Sequence, residues 1–201
     1  MNARRFSTGV AAAALCMWLS PAFAGQAKPA PPEAGQPKTG QAAASPDKAF
    51  VLEAASGGMA EVELGRLAVD KASSSDVKQF GQRMVDDHSK ANNDLSAVAQ
   101  QKNIAMPTST SAKHKALHDR LSKLSGAEFD KAYMADMVKD HQKDVADFQH
   151  EAKMGKDADV KAFASRTLPV LEDHLRMAHD AAVKVGATTA TTTKTTTAKK
   201  K

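Results

Sequence analysis

Between Asp47 and Val185 the apolar residues recur at alternating steps of three and four, the spacing that lays one buried stripe along a helix. Five segments carry it: 47–72, 75–103, 111–124, 126–154 and 157–185. Ser73-Ser74-Ser75, Met106-Pro107-Thr108, Ser125-Gly126 and Gly155 separate them, as capping and helix-breaking residues do. No window has the alternating β-branched pattern of a strand, so an all-α domain is predicted. Four segments are long and the third is short. Short links between long amphipathic helices favour antiparallel neighbours. That predicts an up-and-down four-helix bundle, with the short helix forming part of the crossing between the second and fourth. Pro169 falls inside the last segment and is expected to kink it or open a hydrogen bond there.

One residue type interrupts three of these stripes. The seam of the second segment is Val77, Gly81, Met84, His88, Ala91, Leu95 and Val98; that of the fourth is Met134, Met137, His141, Val145, Phe148 and Ala152. In the last segment it is Val160, Phe163, Thr167, Leu171, His174, Ala178 and Ala181. Three helices therefore each point one histidine into the core, within the related stretches MVDDH (84–88), MVKDH (137–141) and VLEDH (170–174). The preceding acids Asp87, Asp140 and Asp173 lie about 100° around the helix and flank the seam, where they are expected to pair with neighbouring-helix groups or solvent, the alternative being a carboxylate that holds an imidazole of another helix. On the first segment Val51, Leu52, Ala55, Met59, Val62 and Val69 mark the inward face. That phase puts Glu63 on the flank, turns Glu61 away and sets Arg66 near the apolar centre, so Glu63 is the candidate fourth group of the core site.

A single buried histidine is ordinarily satisfied by a helix carbonyl or an opposing side chain. Three at matching positions point to a shared polar site. Met84 lies four before His88, Met137 four before His141, and Met177 three after His174, each on its histidine's face. Thioether with imidazole suits copper, especially Cu(I), although methionine at these spacings is also ordinary core filling. Copper, iron and zinc are the candidate metals. His114 and His118, in HKALH, form an i, i+4 pair on the short segment, but Lys115 stands where a zinc protease needs Glu, and an exposed helix face is expected. No Gly-rich phosphate loop, Gly-x-Ser-x-Gly elbow or glycosidase carboxylate pair is present.

Residues 1–24, MNARRFSTGVAAAALCMWLSPAFA, have the charged start, short apolar run and small-x-small site of an export signal. The run is shorter than the roughly 20 residues a membrane-spanning helix needs. Cleavage after Ala24 would remove Cys16, the only cysteine, and with it disulfides, thiolate zinc sites and cysteine nucleophiles. Acylation at Cys16 is the alternative, with Ala13 where a lipobox usually has Leu. Residues 25–46 read as a Pro/Ala/Gly-rich tether and residues 187–201 as a Thr/Lys-rich disordered tail. The chain's net charge of +5 suggests a nucleic-acid or membrane binder until the charges are placed. Between Asp47 and Gly186, twenty lysines and arginines face twenty-two carboxylates. The basic excess belongs to the ends, which leaves an envelope surface or a protein as partner of the tails and no nucleic-acid face on the fold.

GGMAEVELGRLA (57–68), DVKQFGQRMVDDHSKAN (76–92), EFDKAYMADMVKDHQKDV (128–145) and VKAFASRTLPVLEDHLRMA (160–178) resemble the secreted bacterial ferritin-like proteins of domain of unknown function 4142. The resemblance covers nearly all of 47–185. It implies a ferritin-like four-helix bundle in the envelope, periplasmic or outer-membrane associated, and no established reaction. Ferritin-like di-iron enzymes use Glu-x-x-His on two helices. Here Val85, Val138 and Leu171 stand three before the histidines, which argues against oxygen activation by that route. The resulting reading is an exported, non-enzymatic protein that binds a transition metal or small ligand through His88, His141 and His174, with Glu63 nearby, in envelope stress. Its rival is a structural or interaction protein whose core histidines only fix helix register. An enzyme of unrecognised chemistry at the same site is a third reading.

Overall fold

The computed structural model describes residues 45–187, so the expected export signal, the expected tether up to residue 44 and the expected tail from residue 188 lie outside the described residues. Five helices follow in order: α1 (Pro46–Lys71), α2 (Ser75–Gln101), α3 (Ala112–Leu121), α4 (Gly126–Met154) and α5 (Ala158–Val185). Among the described residues there is no strand. The ends are set by local chemistry. Ser45 Oγ accepts from the Lys48 amide with Pro46 at the first helical position, and Asp157 accepts from the Asp159 and Val160 amides at the start of α5. Gly186, at φ 67°, closes α5 in the left-handed conformation that glycine adopts without a Cβ clash. The helix runs unbroken through Pro169, whose ring is exposed. No described helix is long and apolar enough to cross a membrane.

α1 packs on α2, α2 on α5, α5 on α4 and α4 on α1, while α3 lies against α1 and α4. The Asp47 carboxylate, at the start of α1, accepts from the Lys156 and Asp157 amides at 3.0 and 2.9 Å, just beyond the end of α4. Asp130, near the start of α4, accepts from the Ser73 and Ser74 amides at 3.1 and 2.9 Å, just beyond the end of α1. Lys102 pairs with Asp157 and Lys184 with Asp76, each at 2.8 Å, tying opposite ends of α2 and α5. Both neighbouring pairs are therefore antiparallel. It follows that α2 and α4 run in the same direction and that the segment 102–125, with α3, travels the length of the helices. The simple up-and-down alternation holds within the α1–α2 and α4–α5 hairpins and fails across the crossing. A long connection can return to the starting end, which frees the next helix from being antiparallel to the last.

The hairpins also share a sequence repeat. Asp47-Lys48-Ala49-Phe50 corresponds to Asp130-Lys131-Ala132-Tyr133, and Asp76-Val77-Lys78 with Phe80 corresponds to Asp159-Val160-Lys161 with Phe163, at the same separation. The first aspartate of each repeat caps the turn of the other hairpin.

The inward face of α1 differs from expectation. Its buried residues include Ala55, Gly58, Gly65 and Ala68 beside Val51 and Leu64, whereas Val69, Arg66 and Glu63 are exposed and Glu61 is buried. Gly58, Gly65 and Ala68 lie outside the expected stripe of this helix, yet these small residues decide the packing. A Cβ at Gly65 would lie 2.6 Å from the Gly81 carbonyl oxygen, and one at Gly81 would lie 2.7 Å from the Ala68 Cβ. Close backbone approach between α1 and α2 thus turns the small face inward and carries Glu61 with it.

Two apolar clusters fill the interior, one around Leu64, Phe80, Met84, Tyr133 and Met137, the other around Val51, Leu95, Phe148, Phe163 and Leu171. Along α2, α4 and α5 the histidine stands between them: His88 between Met84 and Leu95, His141 between Val138 and Phe148, His174 between Leu171 and Ala178. Replacing Gly65 by valine is expected to cost about 2 kcal/mol through overpacking against Gly81. Gly57→Ala, where a Cβ meets nothing within 4 Å, should be neutral or gain up to about 1 kcal/mol. Urea titration of the two variants reads both.

Candidate metal centre

His88, His141 and His174 are all buried, with relative exposures of 7%, 0% and 1%. Their ring centroids form a triangle with sides of 5.9, 5.3 and 5.5 Å. One ring nitrogen of each lies within 4.8 Å of the others. Hydrogen bonding decides which nitrogens are free. His141 Nδ1 is 2.9 Å from the Met137 carbonyl oxygen, which can only accept, so Nδ1 carries the hydrogen. His174 Nε2 is 2.8 Å from Asp87 Oδ2 and donates to that carboxylate. His88 Nε2, His141 Nε2 and His174 Nδ1 are buried without a partner.

A buried nitrogen left unpaired costs about 1–3 kcal/mol, and three lone pairs in one place are satisfied together by a single cation. An ion bound at about 2.0–2.1 Å in tetrahedral geometry would hold three nitrogens roughly 3.4 Å apart, so rings that already offer one nitrogen each within 4.8 Å of the others would need to close by up to about 1.4 Å. The protonation states suit this. Burial, then His141 and His174, hold His88 well below its usual range. Burial and then His174 lower His141 to about 4, with the Met137 carbonyl opposing. Burial also lowers His174, partly offset by its bond to Asp87. All three rings are therefore neutral at pH 7 and able to donate a lone pair.

Residues 31–181 match the family Domain of unknown function (DUF4142). The chain belongs to this family. DUF4142 is a ferritin-like type of helical domain. The fold is similar to the crystal structure of a presumed secreted protein, DUF305, from Streptomyces coelicolor, at a TM-score of 0.62 and 16% identity, covering 75% of this chain and 99% of that one. No curated protein matches the chain.

The other candidate residues of this DUF4142 domain fall as follows. Glu63 is exposed and takes no part in the three-histidine group. Met84 and Met137 are buried in an apolar cluster against which Met177 packs, and Met137 contributes its carbonyl to His141. His114 is buried, not on an exposed face: its Nδ1 is 3.3 Å from Ser56 Oγ, which also accepts from the Ser111 amide at 3.0 Å. The contact seats the start of α3 on α1, and His118 is only half-buried. Asp87 holds His174 as a flanking acid can, whereas Asp173 pairs with Arg176 at 2.6 Å.

Glu61, expected to point away, is buried, and Asp144 was not singled out by the sequence. Both Glu61 carboxyl oxygens are buried without a partner; burial, then Asp140 and Asp144, raise its pKa well above the usual range. Burial and then Asp140 push Asp144 up to about 7. Their signal was the repeat, since Glu61 in the first hairpin corresponds to Asp144 in the second.

In metal-free protein the lowered histidines bind fewer protons folded than unfolded. Their contribution is complete above the unfolded value of 6.5 and is lost as pH falls towards about 4. Asp144 and Glu61 work in the opposite sense, because they hold protons when folded that the unfolded chain releases. The test is therefore a difference: the destabilisation of wild type relative to His141→Gln should grow as pH drops from 6.5 to 4, measured by thermal melts with chelator present.

Proposed function

We propose that this DUF4142 domain is an exported ferritin-like four-helix bundle with one crossover, and that it binds one transition-metal ion through His88, His141 and His174. The observation that carries the reading is the pairing of free and held nitrogens. Three unpartnered ring nitrogens are buried together, while the other nitrogens of His141 and His174 donate to a backbone carbonyl and to the Asp87 carboxylate. Metal-bound histidines are oriented by partners of these two kinds, which fix the tautomer and raise the basicity of the ligating nitrogen.

Neutral imidazoles without carboxylate favour zinc or copper over the carboxylate-rich iron sites of di-iron proteins. The three nitrogens leave a tetrahedral ion one position for a water or small ligand. Export is supported by the leader sequence and by the presumed secreted DUF305 neighbour. The role that fits is non-enzymatic binding of metal in the cell envelope under stress.

Elemental analysis of the mature, untagged protein recovered from the periplasm should find close to one equivalent of zinc or copper. The His88→Ala/His141→Ala/His174→Ala variant, still helical by circular dichroism, should hold none. At a free metal concentration of 100 Kd, binding should stabilise wild type by about 2.7 kcal/mol and leave the variant unmoved. Asp87→Asn should weaken the metal roughly 10- to 100-fold, because it loosens His174 without removing a ligand. Absence of metal from wild type even after loading with zinc and copper would overturn the reading and leave the histidines as core residues that set helix register.

A further inference from the structure

Of the three histidines, His141 and His174 are sealed, and His88 alone lines a cavity, of about 310 Å³, that reaches the surface. The cavity is walled by α1 and α4, with His114 and Lys113 of the crossing segment at its side. Exposed Glu53 and Lys143 stand at its outer part; His88, Leu171 and Phe163 are buried at its inner part. Asp140, Asp144 and Asp147 also line it and are half-buried.

Its charge is unbalanced. Five carboxylates line it, Glu53, Asp140, Asp144, Asp147 and Glu151, against two lysines. Lys143 Nζ is 2.6 Å from Asp147 and 3.4 Å from Glu53, and Lys113 Nζ is 3.8 Å from Asp140. Asp144 has no ion-pair partner among the described residues, and with its carboxyl raised to about 7 by burial and then Asp140 it adds its full charge to the cavity only above neutral pH. His88, more than nine-tenths buried, both lines this cavity and belongs to the three-histidine group, and its Nε2 is buried without a partner.

We propose that this cavity is the route by which a metal cation reaches the three histidines, and that Asp140, Asp144 and Asp147 draw it inward past the Lys143 ammonium. The proposal rests on the metal-binding reading above and adds to it a direction of approach and a class of cargo, the hydrated divalent cation. A cleft of one sign with low-dielectric walls concentrates its counter-ion and raises association rates by about 10- to 1,000-fold. An anion of comparable size would be repelled by the same walls.

Stopped-flow mixing of the metal-free protein with Co²⁺, followed by the visible absorption of the bound ion, tests it. At about pH 8, where Asp144 is charged, Asp144→Asn/Asp147→Asn should slow association about tenfold or more at low salt, and Lys143→Gln should quicken it. Both differences should shrink at high salt, with one Co²⁺ per chain throughout. Unchanged rates in both variants, with binding still abolished by the triple alanine variant, would overturn the route and leave the metal site standing. Failure of wild type to bind Co²⁺, or binding that survives loss of the three histidines, would overturn the metal site and the route together.

Discussion

The arrangement depends on keeping three imidazoles buried in the interior with their lone pairs unsatisfied by the protein. Burial alone would reward replacing them with leucine, since each unpaired nitrogen opposes folding. The chain meets this cost with two apolar clusters, one on either side of the polar layer. The layer is also rigid. A carbonyl one turn back holds His141, and a carboxylate from another helix holds His174, so neither ring can turn its free nitrogen towards a backbone acceptor.

That rigidity extends to the ends of the helices through the repeated aspartates. Asp47 and Asp130 each leave their own helix's first turn and cap the turn of the other hairpin, so the two hairpins are tied at both ends by the same device. The histidines break the correspondence. Position for position with the caps, His141 matches Gly58 rather than a histidine, and His88 matches Leu171. The three-histidine site is thus asymmetric within a nearly symmetric scaffold. The buried acids keep the symmetry, since Glu61 matches Asp144 and the two face each other closely enough for their charges to interact.

The likeness to the DUF305 structure at 16% identity shows how far a helical scaffold persists when its sequence does not. Function has to be argued from the side chains the scaffold holds. Here those side chains depart from the di-iron pattern, because apolar residues stand where each Glu of a Glu-x-x-His pair would be. What remains is a cluster of three buried imidazoles beside an acid-lined cavity, the combination on which the proposed uptake of a cation rests.

By itself the sequence determined the helices, their breaks and the three inward histidines, because a 3.6-residue period and capping residues are local properties that survive without knowledge of neighbours. His88, His141 and His174 could be placed on their faces because valine, methionine, leucine and phenylalanine surround them at regular steps. The phase of α1 was not legible in that way, since its buried face is set by how closely Gly65 approaches Gly81, a contact between two helices. From it follow the exposure of Glu63 and the burial of Glu61. The common direction of α2 and α4, the seating of His114 on Ser56, and the choice of Asp87 over Asp173 as an imidazole partner were likewise decided by tertiary structure. Each depends on which helices become neighbours, and hydrophobic periodicity reports that a face is buried without saying against what.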